Sequence, residues 1–257
     1  MQYVFIVNSL KLKFLFMKYI TAIIFSFAIV LAAIFLGNAY VNRANPDGKI
    51  TVTGSGSADF ISDLIVWEGQ FSRMNPNLKA AFDQLILDKK TVEEYLVSKG
   101  IPKENIIFNS VQTSERTENQ YQNGNFVGTT FIGYDLTQTV KVESSDVEMA
   151  ESVSREVTEL LNKGVQFNSY APRYYYTKLA DLKIEMISKA TEDARLRAEN
   201  IAVNSGGKLG KLSDAKLGVF QITGQNSGED YSWGGSFNTS DKKKTASITM
   251  RLEYNID

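Results

Sequence analysis

Hydrophobic and polar positions follow three different rhythms along this chain. From Tyr19 to Val41 (YITAIIFSFAIVLAAIFLGNAYV) no charged residue occurs, and no polar face interrupts the apolar side chains. After Asn42–Gly48 (NRANPDG), a polar stretch rich in turn residues, a period of two sets in. Ile50 and Val52 alternate with Thr51 and Thr53, which predicts a strand closing on Gly54-Ser55-Gly56. A second strand is predicted over the apolar run Phe60–Phe71. Asn75 is the expected N-cap of a first helix, with Pro76 at its first position. Leu78, Phe82, Leu85, Val92 and Leu96 recur at helical spacing, and Gly100 followed by Pro102 marks the stop.

A third strand is expected over Ile106–Thr113, and Asn123-Gly124 is a two-residue hairpin signal. Beyond it Tyr134, Leu136, Val140 and Val142 share one face, opposite Asp135, Thr137, Thr139, Lys141 and Glu143. That is the pattern of a half-buried antiparallel strand. Ser145 and Glu148 suggest a capping box for a second helix with Ala150, Val153, Val157 and Leu160-Leu161 on its apolar face, ended by Gly164. Val165–Tyr176 reads as one strand, with Tyr170, Tyr174 and Tyr176 on a common face. A long helix follows from about Lys178 to Asn204, carrying Ala190, Ala194, Ala198 and Ala202 at every fourth position. Such a packing ladder of small residues lets a helix lie close to a sheet or another helix. Strands over about Lys211–Thr223 and Lys244–Ile256 flank a loop rich in Gly, Ser and Asn. The expected class is therefore α+β: antiparallel sheets with hairpins packed by three helices, preceded by one N-terminal transmembrane helix.

Composition narrows the chemistry. There is no His and no Cys among 257 residues. A Ser-His-Asp triad, a Cys nucleophile, disulfides and the usual zinc, haem or iron–sulfur ligand sets are thereby excluded. Lysines 11, 13 and 18 precede the apolar run, so the positive-inside bias puts residues 1–18 in the cytoplasm and 49–257 in the periplasm. Twenty-three residues (19–41) span about 34 Å as a helix, matching a hydrocarbon core of about 30 Å. The competing reading is a cleaved signal peptide with Gly37-Asn38-Ala39 as its small-residue site, although the run exceeds an h-region of about 7–15 residues. Met17-Lys18 also resembles a natural start, with residues 1–16 an upstream extension. Without the three lysines of the first 40 residues, 25 basic side chains face 29 acidic ones, which argues against a nucleic-acid partner.

Candidate sites are few. Gly54-Ser55-Gly56 lacks the third Gly of a dinucleotide fingerprint, because Asp59 stands there, so a bulge or turn is the expected role. Gly206-Gly207-Lys208-Leu209-Gly210-Lys211 ends a helix instead of opening one, unlike a P-loop. Adjacent carboxylates such as Glu93-Glu94 point different ways and make no acid/base pair. Aromatic residues remain as possible oligomer or ligand contacts: Tyr170, Tyr174 and Tyr176, together with Tyr231, Trp233 and Phe237 in the late loop. If the last strand lies at a sheet edge, it and this loop can pair with a second chain, Trp233 serving as anchor. The Asn123-Gly124 hairpin is the next choice.

The chain resembles the SIMPL domain family of bacterial envelope proteins over roughly residues 49–256. The resemblance rests on Ile50-Thr51-Val52-Thr53-Gly54-Ser55-Gly56; on Leu96, Gly100-Ile101 and Ile106; on Tyr121 and Gly133-Tyr134; and on Ala190, Ala194, Ala198, Ala202, Gly206 and Leu209-Gly210. Ser62-Asp63-Leu64 departs from the family's usual Pro-Asp then Ala. The resemblance implies an α+β envelope domain that self-assembles, in some relatives into rings, with a link to envelope or oxidative stress. It supplies no catalytic residue, cofactor or metal. The leading expectation is a non-enzymatic, inner-membrane-anchored periplasmic homo-oligomer. The alternative is a periplasmic ligand-binding module using the Tyr strand and the aromatic loop.

Overall fold

The computed structural model describes residues 2–44, 48–230 and 232–256. Helix α1 (Gln2–Ala44) leads into strands β1 (Lys49–Ile61) and β2 (Leu64–Asn75) and helix α2 (Leu78–Ser98). Strands β3 (Ile106–Phe108), β4 (Gln112–Gln122) and β5 (Asn125–Ser144) precede helix α3 (Val147–Glu156). Then come β6 (Phe167–Ser169), β7 (Arg173–Tyr175), helix α4 (Leu179–Asn204), β8 (Leu209–Leu217), β9 (Gln221–Gly224) and β10 (Lys243–Ile256). The class is α+β, as the strand and helix rhythms predict. A 3-10 segment at Lys103–Asn105 adds to the expected helices. The end of the expected second helix differs: α3 stops at Glu156, and Val157–Lys163 continues as a 3-10 segment up to Gly164.

Two compact units divide the chain. The smaller comprises Met1–Thr51, Glu199–Ser213 and Glu253–Asp257; the larger comprises Val52–Ala198 and Asp214–Leu252. In the smaller unit α1 holds Tyr19–Val41, a stretch long and apolar enough to cross a membrane, with none of it buried. α1 runs on to Ala44, through residues expected in the linker; Asn45–Asp47 lie outside the described residues. Lys49 pairs with Glu253 at 2.7 Å. α4 is closed by the Gly207 N–H donating to Ala202 O and that of Gly206 to Val203 O, a double bond pattern that satisfies the last helical carbonyls.

The larger unit holds the main core. One sheet runs β3-β5-β2-β6, with β4 also on β5 and β7 also on β2, all antiparallel. Ile65, Trp67 and Phe71 from β2 and Leu136, Val140 and Val142 from β5 are buried with Leu85, Val92 and Leu96 of α2, Ala150 and Val153 of α3, and Val157 just after it. The periodic face of α2 is shorter than its spacing suggests: Leu78 and Phe82 lie exposed, as does Leu161 after α3. Ala81 and Asp88 are buried instead. Asp88 meets Arg73 through two parallel bonds, Nε to Oδ2 at 2.5 Å and Nη2 to Oδ1 at 2.8 Å, and Nη2 also reaches Gly164 O.

Helix starts differ from expectation by one or two residues. Asn77, not Asn75, caps α2 by accepting from the Ala80 N–H at 3.0 Å. Asn75 is held in β2 opposite Tyr134, and its side chain accepts from the Asn77 N–H, turning the chain into the cap. Asp146 rather than Ser145 caps α3 through the Met149 N–H. Glu148 is drawn to Lys242 at 2.9 Å and closes no box. Neighbouring Asn, Ser and Asp residues compete for the same role, and the strand register decides among them.

The second sheet has strand order β1-β10-β8, with β9 antiparallel to β10. Gly54-Ser55-Gly56 neither bulges nor turns; β1 runs straight through and ends at Ile61, so Phe60 belongs to it and the next strand starts at Leu64. The glycines admit α4. A Cβ on Gly54 would stand 2.3 Å from the backbone O of Ala190 and N of Ala194, and one on Gly56 2.5 Å from Met186 O. Ala190, Ala194, Ala198 and Ala202 are each fully buried. Two glycines on a strand and a ladder of alanines on a helix thus bring two backbones together.

Candidate functional site

Three expected aromatic positions separate in the structure. Val165–Tyr176 is not one strand: β6 stops at Ser169 and β7 begins at Arg173, with Pro172 between. Proline cannot donate to a ladder, and the alternation loses its phase across the gap. Tyr170 is exposed with its hydroxyl on Gln70 Oε1, Tyr174 is buried, and Tyr176 packs on Phe60 at a 4.8 Å ring separation. The common Tyr face does not exist. Tyr231 lies outside the described residues.

The late loop is better ordered than its length suggests. β9 extends to Gly224, and Phe237 returns to bridge Ile222. Gln221 is buried and reads the loop with its whole amide: Nε2 donates to Ser232 O at 2.7 Å, and Oε1 accepts from the Ser236 N–H at 2.7 Å. Asn238 donates through Nδ2 to Glu229 at 2.6 Å and to Asp241 at 2.9 Å, while Glu229 accepts from the Gly224 N–H. That N–H and the Asn238 amide hold the Glu229 carboxyl below the usual carboxylate range. Every one of these bonds braces the segment that carries Trp233. Its ring is 100% exposed.

Beside Trp233 opens a cavity of about 820 Å³ contained wholly in the larger unit. Its floor is the face of β1 and β10 turned away from α4: Ser55, Ser57, Ser247 and Thr249. Val219 and Trp233 supply apolar walls, and among the described residues no charged side chain lines it. Thr245 and Gln225 both donate to Asp59 further along the sheet, holding its carboxyl below the usual range. Tyr170, Tyr174 and Tyr176 do not line this cavity. Among the described residues no group of three or more His, Cys, Asp or Glu could hold a metal ion.

Lys244 is a buried cation on the inward face of β10, only 2% exposed, donating to Tyr174 O at 2.5 Å. Burial pushes its pKa down to about 8, against a weaker opposing pull from Asp241. An unfolded lysine keeps its proton to about pH 10.5, so between roughly 8 and 10.5 the unfolded chain binds more protons. This group therefore makes stability rise with pH across that window and adds nothing further above it. Lys99, Lys141 and Lys242 are raised by their glutamate partners and pull the other way at higher pH. Comparison with Lys244→Met isolates the effect. The stability advantage of wild type over the variant is expected to grow by roughly 1–3 kcal/mol from pH 7.5 to 10.5 in urea denaturation. A difference that stays constant would show Lys244 charged within the fold.

A family model described as "SIMPL: Protein of unknown function (DUF541)" matches residues 50–253. The chain belongs to the SIMPL family. The match opens in β1 and closes in β10, so it takes in the Gly54 contact with α4, the β4–β5 hairpin and the cavity, and it leaves α1 outside. No curated protein matches the chain. In this SIMPL chain the late-loop aromatics stand out in the sequence, but the hydroxyls of Ser55, Ser57, Ser247 and Thr249 that share the cavity with Trp233 do not. Their signal was present in the outward positions of two alternating strands. It lacked meaning until those strands were known to be neighbours.

Proposed function

We propose that this SIMPL chain is a membrane-anchored envelope protein that works by assembling with copies of itself and catalyses no reaction. The apolar stretch Tyr19–Val41 supports the anchor, and the lysines before it favour a soluble domain on the periplasmic side of the inner membrane. Docking through the last strand required that it lie at a sheet edge, and it does not. β10 lies inside its sheet, between β1 and β8, so its ladder groups are already paired. The β4–β5 ribbon is the better surface.

That ribbon carries the proposal. Asn123 and Gly124 both take positive φ (51° and 79°), closing the two-residue turn that their sequence predicts. Every residue of β4 is exposed, and so are Phe126, Val127 and Phe131 on β5. Tyr121 and Phe126 meet edge to face at 6.0 Å. A two-stranded ribbon with both faces in water is marginal alone, and apolar side chains on it invite a partner. A second copy offering the same ribbon is self-complementary. The family resemblance supports envelope or oxidative stress as the setting.

The test shortens the arm. Replacing Glu118–Thr130 by Asn-Gly keeps the Thr117↔Phe131 pair at the new hairpin end. Light scattering on the full chain in detergent is expected to show a multimer for the parent and a single chain for the variant, with similar far-UV circular dichroism. A monomeric parent, or a variant that keeps the parent mass, would defeat the reading.

A further inference from the structure

We infer that the cavity beneath Trp233 is a binding site for a neutral oligosaccharide, a role separate from assembly through the ribbon. Its about 820 Å³ falls within the 300–1,000 Å³ of small-molecule sites. What distinguishes it is the split between floor and wall. Ser55, Ser57, Ser247 and Thr249 present hydroxyls from two adjacent strands, and among the described residues none of these side chains is engaged in a hydrogen bond. Hydroxyls both donate and accept, so a row of them suits a ligand that itself carries a row of hydroxyls. A flat hydrocarbon would leave them unsatisfied at a cost, which disfavours a lipid or a purely apolar ligand. The lack of charge among the described lining residues disfavours phosphates and carboxylates as well.

Trp233 supplies the second half of the recognition. A fully exposed indole is unusual, since tryptophan is normally well buried. Here the backbone under it is fixed by Gln221 and by the Glu229–Asn238–Asp241 cluster, so the ring is presented without a large ordering cost on binding. The apolar C–H face of a pyranose ring fits an indole face, while its edge hydroxyls reach the strands.

The chain has two tryptophans, and Trp67 is 0% exposed, so iodide quenching of the full-length protein in detergent reports Trp233. Maltotriose and triacetylchitotriose are the neutral probes, with trigalacturonate as the anionic comparison. At least one neutral trisaccharide is expected to protect Trp233 saturably below about 10 mM and to raise the melting temperature, as binding to the folded state alone requires. Ser57→Ala, an outward position, should weaken that binding about tenfold with no change in the unliganded melting point. Trp233→Ala should abolish the ligand-dependent melting shift while leaving the assembled mass intact. No protection by either neutral sugar, equal protection by trigalacturonate, or loss of assembly in Trp233→Ala would each overturn the assignment.

Discussion

Gly54→Val is expected to destabilise the larger unit by about 3 kcal/mol, an overpacking cost at the upper end of the usual range. The atoms that a side chain would meet are the backbone O of Ala190 and N of Ala194, both at 2.3 Å. Neither can swing aside as a flexible side chain would, because each is fixed in the hydrogen-bond ladder of α4. The helix must therefore lift or β1 must bend. Asp193 would be affected too, since it accepts from the Ser55 N–H at 2.8 Å across the same contact. Ala194→Leu and Ala198→Leu approach the problem from the helix. Both positions are fully buried, and each change should cost about 1–3 kcal/mol. Urea midpoints decide the matter: unchanged values for Gly54→Val and Ala194→Leu would mean that this face has room, and the close approach would be wrong.

Arg73→Met should cost about 3 kcal/mol, the low end of what leaving one member of a buried ion pair alone costs, because Asp88 is buried while Arg73 is partly exposed. Asp88 is buried on α2 and faces Arg73 through a bidentate contact. Nη2 of Arg73, which also bonds Asp88, donates in addition to Gly164 O, the carbonyl that follows the 3-10 segment Val157–Lys163. One guanidinium thus ties β2 to α2 and to the end of the α3 region. The double variant Arg73→Met with Asp88→Leu should recover much of the loss, because no isolated charge is left behind. A single variant that melts with the parent would show the pair to be solvent-screened and of little weight.

The elements that local chemistry specifies were legible from residues alone. A period of two gave away β5 and β10, a period of near four gave away α4, and Asn123-Gly124 announced its turn because both residues tolerate positive φ. Boundaries were less legible where several residues could play one part. Asn75 and Asn77 both qualify as caps, and only pairing of Asn75 with Tyr134 removes it from contention. The Tyr strand failed for a related reason, since its alternation is real on each side of Pro172 but does not carry across.

By itself the sequence determined the α+β class, the apolar stretch Tyr19–Val41 and the exclusion of His and Cys chemistry, since each depends on composition or on neighbours a few residues apart. Only the tertiary structure decided that the glycines of β1 receive the alanines of α4, residues more than a hundred positions away. It likewise took β10 from the edge to the interior of its sheet, buried Lys244 against Tyr174 O, and set Ser55 and Ser57 beside Ser247 and Thr249 under Trp233. Periodicity says which way a side chain points from its own element. Which strand becomes its neighbour depends on the pairing of distant segments, and no local pattern carries that information.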